Sequence, residues 1–216
     1  QPPMCQAPFE YIQGTRWYTK ELFDLHLLGN YEYWIKLDPD VVFVKPLEFN
    51  LLYDMKIKGA IFGHTAEYPP GVPTPCSDGI AHAVLEFVQE HSVCALPSTI
   101  LDADHYYTNF IVGRTDFFQS PHVRHFADWL SEYSGGFFHH RWTDQIFWQV
   151  AMTLFLWPNV EAYVADYTDL RLSPIHISLP TRPYSISYAV FCLITNTYLI
   201  QQFFPLLTLL PLSRHM

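Results

Sequence analysis

Residues 31–47 read Tyr-Glu-Tyr-Trp-Ile-Lys-Leu-Asp-Pro-Asp-Val-Val-Phe-Val-Lys-Pro-Leu, directly after Gly29-Asn30, a helix-stop pair. This run constrains the fold more than any other part of the chain. Tyr31, Tyr33, Ile35 and Leu37 alternate with Glu32, Trp34 and Lys36, which is the period of a strand. Pro39 has no N–H to give to a ladder, so the strand should stop at Asp38-Pro39-Asp40. In extended chain, residues i and i+2 share a face, so Asp38 and Asp40 are expected to project together from the end of a buried strand. Two carboxylates so placed form a hard oxygen site suited to Mg²⁺ or Mn²⁺, an ion that keeps coordination positions for substrate phosphates. The plain alternative is a turn with solvated aspartates, because Asp-x-Asp alone is a weak pattern.

The 216 residues are half hydrophobic, enough for one domain with a sizeable core. A net charge of −9 argues against a nucleic-acid partner. Aromatics make up 17% of the chain, which suits either a sugar-binding surface or an aromatic core. Four cysteines, Cys5, Cys76, Cys94 and Cys192, contain no CxxC pair, so zinc is not indicated; a secretory compartment would permit one disulfide among them. Gln1-Pro2-Pro3 is no initiator, leader or anchor, and the N-terminus reads as a fragment boundary. No Asp or Glu follows Asp169, and 184–200 is uncharged and mostly apolar. The run 174–184 resembles translated adapter sequence. The expectation is that 1–172 is the folded unit and 173–216 a non-native or unstructured tail; a hydrophobic membrane segment is the alternative, short against the roughly 20 residues a span needs.

Along the chain, 15–28 reads as a helix stopped by Gly29, 41–44 as a short apolar stretch, and 59–63 as a second buried strand. The Pro- and Gly-rich 68–74 is a loop. Asp78 is placed to cap a helix reaching Glu90, with Ile80, Val84, Phe87 and Val88 on one face. Residues 106–113 read as a strand carrying Asn109. Ser120-Pro121 starts a helix with Val123, Phe126, Leu130 and Tyr133 on its stripe, ended by Gly135-Gly136. Thr143 should cap the next, with Asp144 in its first turn, Ile146, Phe147, Val150 and Leu154 inward, and Pro158 beyond. On its own, Asp144 is a dipole-stabilising helix-end charge. Residues 163–166 complete the pattern as a strand. Alternating strands and helices indicate an α/β sheet, whose ligands sit beyond the carboxyl ends of the strands, where Asp38 and Asp40 fall.

Two stretches resemble the fungal Golgi α-1,2-mannosyltransferases, type A (GT-A) nucleotide-sugar glycosyltransferases. That family has a Tyr-x-Tyr/Trp-Trp-x-x-Glu-Pro-Asp strand, matched here by 31–40. It also has an Asn-Phe segment, a Phe-Phe pair and Gly-Gly-Phe-[Phe/Tyr]-x-x-Arg-Trp-x-Asp. Here these are Asn109-Phe110, Phe117-Phe118 and the run from Gly135 to Asp144. The resemblance covers about residues 4–170 and rests mainly on that last run.

It implies a GT-A-like mixed α/β sheet flanked by helices, with the first nucleotide-binding strand missing upstream of Gln1. It further implies a metal-dependent hexosyltransferase that moves mannose, with retention, from GDP-mannose to a glycan or glycoprotein, using Mn²⁺ (or Mg²⁺). The setting would be the Golgi or ER lumen, on a type II membrane anchor in the missing N-terminal part. Asp38 takes the place of the family's metal-side Glu, and Asp40 and Asp144 match directly. Asp38 and Asp40 are then the metal ligands, and Asp144 and Asn109 the catalytic residues orienting donor or acceptor hydroxyls. Tyr107, Trp142 and Arg141 would bind substrate, the two aromatics by stacking on sugar or else as core. The family's acidic residue after Asn-Phe is Ile111 here, and His176 does not inherit its metal-binding His. The alternatives are a catalytically inactive GT-A-like binding domain and a lectin-like carbohydrate-binding module.

Overall fold

The fold is given by a computed structural model that describes residues 7–38, 41–65, 79–94, 106–170, 172–174 and 190–194. The first helix, α1, spans Phe9–Thr19 and gives way to 3-10 turns at Glu21–Asp24 and Leu28–Asn30. The helix expected over 15–28 therefore starts earlier and breaks at Lys20. Thr15 and Thr19 turn their hydroxyls back onto the carbonyls of Ile12 and Thr15, each at 2.9 Å, a bond that bends and weakens a helix end. The tighter 3-10 turns still bury Leu22, Phe23 and Leu28.

Strand β1 is Tyr33–Leu37, and its two faces divide as the alternation predicts. Tyr33 and Ile35 pack with Phe110, Val112, Tyr167 and the helix α2 (Leu51–Lys58). Trp34 faces a larger core, where its ring meets Phe23, Phe118 and Trp148 at 5.2–5.5 Å between centroids. Both faces are covered, so the sheet is a middle layer. Helix α2 was not foreseen. Asn50 caps it by accepting from the Tyr53 N–H, and Gly59 closes it in the left-handed region, at φ 62°. That role removes Gly59 from the strand expected at 59–63, which shortens to β3, Phe62–His64.

Short strand β2 (Val41–Phe43) precedes α2. Helix α3 (Ile80–Glu90) buries Ile80, Val84 and Phe87; Gly79 occupies its N-cap position, and Asp78 lies outside the described residues, as does the 68–74 loop. Strand β4 is Phe110–Arg114, so Asn109 sits in the turn before it rather than within it. A helical turn α4 (Thr115–Phe118) leads to α5 (Pro121–Glu132), which starts at Ser120-Pro121 and buries Val123, Phe126 and Leu130. After a 3-10 turn come the short helix α6 (Gly136–His139), which replaces the plain stop expected there, and α7 (Asp144–Leu156). Helix α8 (Val160–Tyr163) and strand β5 (Val164–Asp166) follow.

The main sheet has the order β5-β3-β4-β1-β7, antiparallel except for the β3–β5 pair. It is therefore mixed and flanked by helices, as the GT-A resemblance implies. Strand β6 (Leu172–Pro174) pairs with β2, and β7 (Val190–Ile194) runs antiparallel along β1 with Cys192 opposite Ile35. These residues differ from the expectation of an unstructured tail over 173–216. Val-Phe-Cys-Leu-Ile is a run of strand-forming residues, and β1 offers it an edge. The other tail residues lie outside the description. Among the described residues no helix is long and apolar enough to cross a membrane.

Gly136, second glycine of the Gly-Gly-Phe-Phe run, fits because it lacks a side chain. A Cβ there would stand 2.1 Å from Cζ3 of Trp142. Gly136→Ala should lower stability by about 1–3 kcal/mol, as overpacking of a rigid ring does. A thermal melt indistinguishable from the parent's would contradict this.

Candidate active site

Strand ends converge at one edge of the sheet. β1 finishes at Leu37, opposite Phe110 at the start of β4, while β3 finishes at His64, opposite Ile111 and beside Asp166 at the end of β5. The Asp38 N–H donates to the Asn109 carbonyl at 2.8 Å, fastening the Asp-Pro-Asp turn to the turn that opens β4. Pro39 and Asp40 lie outside the described residues, so the expected Asp38/Asp40 pair is seen only through Asp38.

The centre of the site is Lys36, 4% exposed on the Trp34 face of β1. Its Nζ donates to Asp38 Oδ1 at 2.9 Å and to the Thr108 carbonyl, and stands 3.8 Å from Asp144 Oδ2. Tyr18 and Trp148 flank it, with ring centroids 5.1 and 5.9 Å from the ammonium. Such burial is tolerable for a lysine only because its donors are met by opposite charge and a carbonyl.

Asp144 opens α7 and is 5% exposed. Burial pushes its carboxyl above the usual range; the Lys36 charge opposes this, the Asp38 charge adds to it, and the N–H groups of Gln145 and Asp144 pull it back. Thr143 occupies the N-cap position without making the capping bond, its hydroxyl buried and unpartnered among the described residues. The Asp144 carboxylate does part of that work through the N–H of Gln145.

Next to it, Arg141 adopts a left-handed backbone, φ 59°, unusual for a residue with a side chain. Its guanidinium lies 5.1 Å from the Tyr11 ring centroid. Burial of the Tyr11 hydroxyl, helped by the Asp144 and Asp38 charges, raises its pKa, while the charge and hydrogen bond of Arg141 lower it. Tyr11, Arg141, Asp144 and Asp38 thus share one electrostatic environment, with α1 packed on α6 and α7.

Other candidates divide. The side-chain oxygen of Asn109 is buried and has no partner among the described residues. Tyr107 is 37% exposed, adjacent to Thr108. Trp142 takes the second of its two expected roles, core rather than sugar-stacking ring. It is 1% exposed and belongs to the core, with Tyr133 and His140 stacked nearby. The close approach that Gly136 permits is what lets the indole sink. Ile111 is fully buried and lies directly across from Lys36.

Sequence reasoning missed Lys36 and Tyr11. The signal for Lys36 was present: in a strand it shares a face with Asp38 two residues on, so an ion pair is geometrically available. Nothing local marks Tyr11, which reaches the site only because α1 packs across α6 and α7.

Among the described residues no three His, Cys, Asp or Glu side chains are grouped to hold a metal ion. The chemistry of Asp38 fits a hard divalent ion: a carboxylate at an open strand end, its side chain 30% exposed. Asp144, 6% exposed at its side chain and turned toward Lys36, does not.

A mixed sheet flanked by helices is the GT-A-like architecture. The fold is shared with the Mn/GDP form of core-mannan synthase A (CmsA/Ktr4) from Aspergillus fumigatus. That match has a TM-score of 0.64 and 20% identity, over 76% of this chain and 48% of the other. The chain belongs to the glycolipid 2-alpha-mannosyltransferase family, whose pattern matches residues 6–171. It is 27% identical over 144 residues to the "Probable mannosyltransferase KTR3" of Saccharomyces cerevisiae, covering 60% of this chain and 34% of that protein. The same identity holds over 143 residues to the O-glycoside alpha-1,2-mannosyltransferase omh1 of Schizosaccharomyces pombe, covering 60% and 35%. The chain spans about a third of the length of the curated relatives it matches.

Proposed function

We propose that the protein to which this chain belongs transfers mannose from GDP-mannose to a glycan or glycoprotein acceptor with the help of a divalent ion. The observation that supports this most is the meeting of Asp38 and Asp144 across Lys36 at the carboxyl end of β1, in a chain of this family. Family relatives are mannosyltransferases by name, and the A. fumigatus structure is a Mn/GDP form. The setting that goes with such a reaction is the Golgi or ER lumen, with a membrane anchor N-terminal to this segment.

Asp38, with Asp40 beside it in sequence, would hold a Mn²⁺ whose charge neutralises the diphosphate as the glycosidic bond breaks. The chain's own groups do the rest. The buried Asn109 oxygen, without a partner among the described residues, accepts from a sugar hydroxyl. Asp144, fixed at the start of α7, orients another hydroxyl, and its burial makes that hydrogen bond stronger than it would be in water. Arg141, its guanidinium held over Tyr11, would offer its donors to the substrate. Tyr107 offers a partly exposed ring to a sugar face. A buried isoleucine at position 111 provides no carboxylate for a covalent intermediate, which favours direct front-face transfer.

Ile111 also favours a second reading, a carbohydrate-binding domain of the same fold that has lost its chemistry. GDP-mannose turnover separates the two. The full-length protein with Mn²⁺ should release GDP and extend an α-mannoside acceptor. Binding of GDP-mannose without release or transfer would replace the enzyme reading by the binding one.

A further inference from the structure

We propose that Lys36 is a built-in counter-ion that splits the acidic pair, reserving Asp38 for the metal and Asp144 for the substrate, and that it makes capture of the divalent ion depend on the donor diphosphate. The inference rests on the reading of the site as one for a nucleoside diphosphate sugar and a metal.

The ammonium has three N–H groups. One goes to the Thr108 carbonyl, one to Asp38 Oδ1 at 2.9 Å, and the third side faces Asp144 Oδ2 at 3.8 Å. With Tyr18 and Trp148 closing the flanks, the head group is enclosed. Its contribution is a positive charge held in a fixed place.

That place decides where a divalent ion can go. An ion bridging the two oxygens that face Lys36, Asp38 Oδ1 and Asp144 Oδ2, would have to sit where the ammonium sits. The side left to the ion is the outward side of Asp38, the more exposed of the two carboxylates. There it meets a carboxylate already partly neutralised, with a like charge behind it. Repulsion over a few ångström in a poorly screened site weakens binding of the bare ion. A diphosphate brings two further negative charges and hard oxygens to the same side, so ion and nucleotide are held well only together. Asp144, kept out of the coordination shell by Lys36, remains available to a sugar hydroxyl.

The test measures Mn²⁺ affinity directly, by calorimetry and by the loss of the free-ion paramagnetic signal, on the full-length protein with and without GDP. Lys36→Met should bind Mn²⁺ alone at least about tenfold more tightly than the parent, and the gain in affinity on adding GDP should shrink by the same factor. Lys36→Arg, which keeps the charge, should behave as the parent. Folding of each variant is checked by its melt. Should Lys36→Met fail to fold, Asp144→Asn serves: an excluded Asp144 predicts Mn²⁺–GDP affinity within about threefold of the parent, and a larger loss makes Asp144 a ligand and overturns the proposal. Unchanged Mn²⁺ affinity in a folded Lys36→Met overturns it too. If the parent binds no Mn²⁺ even with GDP, the metal-dependent reading itself fails, a result separate from either of these.

Discussion

Asp38→Asn should cost the full-length protein at least about a hundredfold in Mn²⁺-dependent GDP affinity, some 2.7 kcal/mol, with little unfolding. The stability side follows from geometry. An asparagine keeps an oxygen where Oδ1 accepts from Lys36, and Asp144 and the Thr108 carbonyl stay beside the buried ammonium, so the lost charge costs about 1–3 kcal/mol, short of unfolding the domain. The affinity side follows from coordination chemistry: a neutral amide is a poor ligand for a hard dication and leaves the Lys36 charge uncompensated beside the site. Calorimetry with GDP and Mn²⁺, beside a melt of the same variant, reads both. An Asp38→Asn protein that binds Mn²⁺ and GDP like the parent would remove Asp38 from the metal site.

What the sequence discloses here depends on whether a residue's local pattern and its tertiary role agree. β1 is legible because its period, its Pro39 stop and its burial on both faces all point the same way. α5 is legible because Ser120-Pro121 and one apolar stripe mark it. α2 is not, because Tyr53 and Ile57 are exposed and blur its apolar face, leaving the Asn50 cap as the main signal. Lys36 reads as a solvated strand residue until the Asp144 helix start is laid over it. Trp142, framed by Arg141 and Asp144, reads as either a site aromatic or core; the close approach that Gly136 permits decides for core. Composition argues against a strand at β7, yet pairing needs only backbone groups and a run of strand formers, and composition says little about either.

Asp144 carries the last and most discriminating expectation. As a helix-end charge its removal would cost on the order of 0.3–1 kcal/mol. Burial against Lys36 changes that figure for alanine: Asp144→Ala empties a packed position and strips a buried ammonium of one neighbour, with a penalty of up to about 3 kcal/mol. Stability alone therefore cannot separate a structural from a functional role in that variant. Asp144→Asn can, since it keeps the volume. It also removes a pH dependence whose sign is fixed. The folded-state pKa is raised, so the folded chain binds the extra proton more tightly than the unfolded one. Stability from this group is then greatest below the ordinary carboxylate range and falls as pH climbs toward the raised value. Asp144→Asn should flatten that decline while slowing transfer about a hundredfold or more, roughly 2.7 kcal/mol of lost transition-state stabilisation. Asp128→Asn on α5, a half-exposed partner of Lys20 at 3.2 Å, is the control and should change neither quantity appreciably. A flattened stability profile with transfer at the parent rate would make Asp144 a purely structural partner of Lys36, and the catalytic assignment of the Arg141-Trp142-Thr143-Asp144 segment would fall with it.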